Sequence, residues 1–210
     1  MTLVKKRAHS HLQAWLREEK ELATVLSIKD RIFYLLLRTV LSFGSPQKRS
    51  PLGLRLGDFL NIFRNHYDKD PQLFEVGCYL LFLLRRWHED RQVTSVQSDL
   101  MEFLRNHYAR LFNKLLNTNS ISEIIDNRFA IYGALTPGNE AACDLYLVQF
   151  IRRNGPRGKP KLLDASLLEP LAAAAHHPLS RQVAIFREYA VPPLLDSVEK
   201  VYHGLGFLDT

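Results

Sequence analysis

Two short stretches carry the same four residues: Arg64-Asn65-His66-Tyr67 and, forty-one positions later, Arg105-Asn106-His107-Tyr108. Asp58 and Asp99 precede the two stretches at the same distance. Arginine and histidine converging from two helices can hold an anion, and a histidine pair joined by aspartates can ligate a metal. Asp58 and His66 are more than two helical turns apart, so one straight helix cannot bring both to a single ion. The chemistry therefore needs the two stretches to meet. Arg64, His66, Tyr67, Arg105, His107 and Tyr108 form a candidate paired polar site on that condition. The competing reading is plainer. Tyr67 and Tyr108 follow Phe63 and Leu104 by four positions, which puts both rings on an apolar stripe, the histidines at its edge and the arginines and asparagines towards solvent. Four shared residues also recur by chance in chains of this length. We read the repeat as a shared structural role with no chemistry attached.

A second candidate is electrostatic. The loop segment 47–55 holds Lys48, Arg49 and Arg55, and 152–161 holds Arg152, Arg153, Arg157, Lys159 and Lys161 with no acid between them. Basic loops of this kind contact phosphates without reading bases. No aromatic residue interleaves with the charges, so stacking on single strands is not indicated. The alternative is a solvated loop kept soluble by its charge.

Motifs for metal, cofactor or nucleophilic chemistry are missing from the sequence. It has no HExxH, no cysteine pair at metal spacing, no phosphate-cradling glycine loop and no GxSxG. His9 and His11 point to different sides of a helix, and the neighbours His176 and His177 cannot both face one site. In the segment 87–90 a tryptophan precedes His88, Glu89 and Asp90 at a helix end, where a histidine suits the negative pole. No cofactor and no metal ligands are indicated.

These groups must be positioned by the elements around them. The chain has 210 residues, 46% apolar and 24% charged, with a net charge of +6, and a pI near 9.4. That composition is ordinary for a folded globular protein, and the basic excess is modest. Two cysteines, Cys78 and Cys143, are too few for a disulfide framework, and Cys78 sits in an apolar run as a small core residue. The N-terminal basic residues are followed by polar ones, unlike a secretory signal, and the longest apolar runs, 32–37 and 78–84, are far short of a bilayer span. A reducing cytoplasmic location is the expectation.

Helical periodicity dominates, and alternating strand patterns are absent. The spacing predicts helices over 10–26, from Ser27 and Asp30 to the breakers at 44–53, over 58–67, from Pro71 to Asp90, and from a Thr94–Gln97 capping box to Leu116. Further helices are expected from a Ser120–Glu123 cap to Gly133, from Thr136-Pro137 to Arg153, over 164–176, and over 178–189, with Pro192-Pro193 breaking or kinking the chain before a last helix. The helices near 28–43 and 71–90 are apolar almost all round and should be central.

The predicted fold is therefore all-α, a compact irregular bundle of about eight to ten helices in a single domain over 1–210, with a weak subdivision point at 154–163. The forty-one-residue spacing is near that of HEAT-type helix pairs, but a third copy is missing where stacking arrays need at least three. Three functions are compatible: a scaffold or regulatory module that takes a protein partner between its helices, a nucleic-acid or polyanion binder using the basic loops, and a helical enzyme with a buried polar pocket. Without catalytic motifs, the first is preferred.

Overall fold

A computed structural model describes residues 27–44, 72–91, 96–135, 140–154 and 160–204. The described residues form seven α-helices: α1 (Ile28–Gly44), α2 (Leu73–Asp90), α3 (Val96–Leu116), α4 (Ile121–Gly133), α5 (Glu140–Asn154), α6 (Leu171–Ala175) and α7 (Pro178–Gly204). A single 3-10 turn, Ala165–Leu167, precedes α6, and no strand occurs among them. The all-helical expectation holds. The helices foreseen over 10–26 and 58–67 lie outside the described residues.

Helix α2 is the hub, packing against α1, α3, α4, α5 and α7. Its sequence requires this. From Leu73 to Phe82 every residue is buried, so no face is left for water. Helix α1 contributes the unbroken buried run Ile32–Leu37 and lies against α2, α3 and α7. One continuous core joins all these elements. A helix-pair array, in which each unit touches only its neighbours, is not what these contacts describe.

Local chemistry sets the ends. At α1 the Ser27 hydroxyl donates to the Asp30 carboxylate at 2.6 Å and accepts from the Asp30 backbone N–H at 3.2 Å. Helix α3 ends with Asn117 in the left-handed region at φ 51°, and the Thr118 N–H reaches back to the Asn113 carbonyl. That pattern closes a helix C-terminus, and asparagine tolerates the conformation better than most residues. It turns the chain sharply into α4.

Three boundaries depart from the sequence reading. Ser120 precedes α4 but caps nothing with its side chain; the Asn113 side-chain oxygen takes the Ile121 N–H instead. The span 164–176 is not one helix, because Pro170 separates the 3-10 turn from the short α6. Pro192-Pro193 lies inside α7 without breaking it. The carbonyls that lose a donor to these prolines belong to Glu188 and Tyr189, both exposed, so water can satisfy them. Val191, Leu194, Val198 and Val201 are buried along the same helix and hold it to the bundle.

Candidate functional site

The tetrapeptide on α3 is divided among three surroundings. Tyr108 is fully buried, and its hydroxyl donates to the Phe74 carbonyl at 2.9 Å with the Leu73 carbonyl at 3.3 Å. Its ring lies across Gly77 of α2, where a Cβ would overlap both ring and hydroxyl. Arg105 turns the other way and makes a two-pronged ion pair with Asp126 of α4. His107 lies between these directions, half-buried at the groove edge. Arg64, His66 and Tyr67, the other half of the candidate paired site, lie outside the described residues.

The groove that takes His107 runs between the start of α1 and α3. It encloses about 260 Å³ and is lined by Lys29, Asp99, Glu102, Phe103, Asn106, His107 and Arg110. The His107 and Phe103 rings stack with centroids 3.8 Å apart. His107 Nδ1 lies 2.9 Å from the Phe103 carbonyl. A carbonyl only accepts, so Nδ1 carries a proton in this contact. Phe33 meets the same imidazole edge-on, and the Lys29 ammonium stands 5.7 Å from the Phe103 centroid. The result is a shallow aromatic floor flanked by both signs of charge.

A second polar cluster is enclosed. Glu75, in the first turn of α2, and Arg128 of α4 have no exposed side-chain surface. Arg128 donates to both carboxylate oxygens of Glu75 at 2.8 Å. Two further N–H groups donate to the Asn127 side chain at 2.7 Å and the Lys161 carbonyl at 2.9 Å. Asn154 of α5 adds a 2.7 Å bond to Glu75, and the Phe150 ring lies 4.7 Å from the guanidinium carbon. Burial works against the Arg128 cation, but the bonds and charge of Glu75 outweigh it and hold the guanidinium above its ordinary pKa. Beside this cluster, burial pushes the Cys78 thiol and the Tyr132 phenol upward. Neither is a ready nucleophile at neutral pH.

Two smaller buried contacts tie helices together. Tyr79 donates to Asp144 at 2.6 Å, and Asp144 also pairs with Arg187 at 2.9 Å. His88 Nε2 lies 2.6 Å from the Tyr202 hydroxyl, joining α2 to α7, and burial pushes its pKa down to about 4.

Of the basic-loop candidates, Lys48, Arg49, Arg55, Arg157 and Lys159 lie outside the described residues. Arg152 pairs with Glu169 at 2.9 Å, Arg153 is exposed at the end of α5, and Lys161 is exposed while its carbonyl serves Arg128. No group of three or more His, Cys, Asp or Glu residues suited to a metal occurs among the described residues. None of the described helices is long and apolar enough to cross a membrane.

The enclosed ion pair was not foreseen, although a signal existed. Glu75 is the only charged residue between Pro71 and Leu84, in a helix apolar on all sides. A charge that cannot reach water must be paired. Comparison with known proteins finds no matching family model, no similar curated protein and no similar solved structure.

Proposed function

We propose that this chain is a cytosolic helical interaction module, a scaffold or regulatory subunit, that takes a segment of a partner protein in the groove between α1 and α3. The groove itself carries the reading. Among the described residues it is a shallow, open hollow with a stacked Phe103–His107 floor, and it presents Lys29 and Arg110 beside Asp99 and Glu102. An aromatic platform framed by both signs of charge suits a peptide or helix that brings one anchoring side chain and its own mixed charges. A small substrate is usually held in a deeper, more enclosed pocket. The buried thiols of Cys78 and Cys143, both unbridged, support a reducing compartment.

The test is site-specific cross-linking. A photo-reactive residue at position 106 should capture one protein that the same residue at position 200, on α7, does not. That protein, purified, should bind the full chain and lose at least about tenfold in affinity to Glu102→Lys. Equal capture at both positions, or unchanged affinity, removes the reading. A salt titration of binding to random DNA and RNA tests the polyanion alternative, which requires steep weakening with salt.

A further inference from the structure

The segment between Pro160 and Pro170 is fastened in an unusual way. Its described side chains give it little apolar anchorage: Leu163 and Leu168 are half-buried, while Lys161, Leu162, Asp164, Ala165, Ser166 and Glu169 are exposed. Leu162 is 58% exposed despite its character. Two side-chain amides hold the backbone instead. Asn127 of α4 grips Leu163, donating to its carbonyl at 2.9 Å and accepting its N–H at 3.1 Å. Gln149 of α5 grips Glu169 in the same fashion, with both bonds at 2.8 Å. Each pair reproduces the reciprocal bonding of two backbone amides. Prolines at both ends cannot donate to a continuing helix, so the segment stands apart from α5 and α6.

Its position gives this fastening a consequence. The Lys161 carbonyl accepts directly from Arg128, so the segment forms part of the wall around the Glu75–Arg128 pair. We propose that residues 160–169 form a strap that opens as a unit while the helices stay folded, and that this opening controls solvent access to the buried ion pair. The physical basis is the contrast in anchorage. Local opening is least costly where few apolar contacts must be broken, and the four amide bonds, the Arg128 bond to the Lys161 carbonyl and the part-exposed Arg152–Glu169 pair are all exchangeable for bonds to water. The helices behind the strap, above all α2, are held by continuous apolar burial and do not open with it.

Residue-resolved hydrogen exchange on the full chain tests the first half without any variant. The Leu163 and Glu169 amides should exchange at least about a hundredfold faster than those of Tyr79 and Leu80 in α2. Gln149→Ala should raise the strap rates about tenfold further and leave the α2 rates unchanged. Exchange of the strap amides at the α2 rate, or equal acceleration of both, overturns independent opening. The second half is read with an arginine-selective dicarbonyl reagent. Arg128 should be modified slowly in the native chain and about tenfold faster in Gln149→Ala, in step with the Leu163 amide. Arg128 labelling that does not follow strap exchange overturns the control of access.

Discussion

Glu75 and Arg128 in the core, and Lys29, Asp99, Glu102 and Arg110 at the groove, are the same chemical groups under opposite conditions. In the core the carboxylate and guanidinium are stripped of water, and their oxygens and nitrogens are committed to one another and to Asn127, Asn154 and Lys161. At the groove the charges line a shallow hollow and, among the described residues, are exposed to water. Desolvation makes a lone charge in the core very costly, whereas a lone charge at the groove costs almost nothing. The comparison teaches that a cluster of acids and bases is evidence of function only where the groups remain available. The core pair bonds α2 to α4, whereas the charged side chains at the groove stay exposed.

The largest effect should therefore come from halving the core pair. Arg128→Met leaves Glu75 buried and unpaired, and chemical denaturation should show a loss of about 3–5 kcal/mol. Adding Glu75→Leu removes the stranded charge, so the double variant should be more stable than Arg128→Met alone. If the two losses simply add, the pair is not a coupled unit and the contrast with the groove fails.

The His88–Tyr202 contact sharpens the same point through pH. Burial favours neutral His88, and the Leu84 backbone and nearby Glu89 offset this only in part, leaving its folded-state pKa at about 4 against an unfolded value near 6.5. The sign follows from linkage. Above 6.5 the imidazole is neutral in both states and the contact contributes fully. As pH falls from 6.5 towards 4, the unfolded chain binds a proton that the folded chain refuses, and stability drops. The cumulative loss is on the order of 2–3 kcal/mol. Urea midpoints at pH 7, 6, 5 and 4.5 should show the decline in the native chain and a flatter profile in His88→Gln. Parallel profiles would mean that His88 is not the group responsible.

How far the sequence foretold this arrangement depends on the range of the interaction. Helices α1 and α2 were legible because their apolar residues run almost all round, and the Ser27–Asp30 start is a contact between near neighbours. Tyr108 was placed correctly on the apolar stripe by its spacing from Leu104. The double proline does not break α7, one of the two outcomes expected of it, because the rule against it is local. Burial of Val191, Leu194 and Val198 against the bundle, which the rule ignores, outweighs two missing bonds at a wet surface. The Glu75–Arg128 pair spans 53 positions, so only the odd charge in an apolar helix hinted at it. The groove was partly legible: six of its seven lining residues, Asp99 to Arg110, recur along one face of α3, and only the approach of Lys29 from α1 is long-range.

Tyr108 permits a test at intermediate scale, where packing rather than charge is at stake. Gly77→Ala should cost about 1–3 kcal/mol even though alanine is the better helix former, because the new methyl group meets the Tyr108 ring and hydroxyl. Tyr108→Phe removes the hydroxyl and its bonds to the α2 carbonyls, about 1 kcal/mol. In the double variant part of the clash is gone, so the loss should be smaller than the sum. Strict additivity would show that the two sites relax independently.

The smallest stability effects belong to the surface, and there the comparison is decided. Arg105→Ala breaks a two-pronged but partly exposed pair with Asp126 and should cost only about 0.2–1 kcal/mol. Lys29→Glu and Glu102→Lys, which invert charges lining the groove, should each shift stability by less than about 0.5 kcal/mol. Yet these same two variants should weaken capture of a partner at position 106 far more than Arg105→Ala does, because they alter the charge pattern that a bound segment must match. Thermal melts run beside binding curves separate the two kinds of effect. A groove variant that lowers the melting temperature as much as Arg128→Met would place Lys29 and Glu102 among the groups that hold the fold together. The groove would then stand with the core pair as architecture, and the docking of a partner segment would have to be sought on another face.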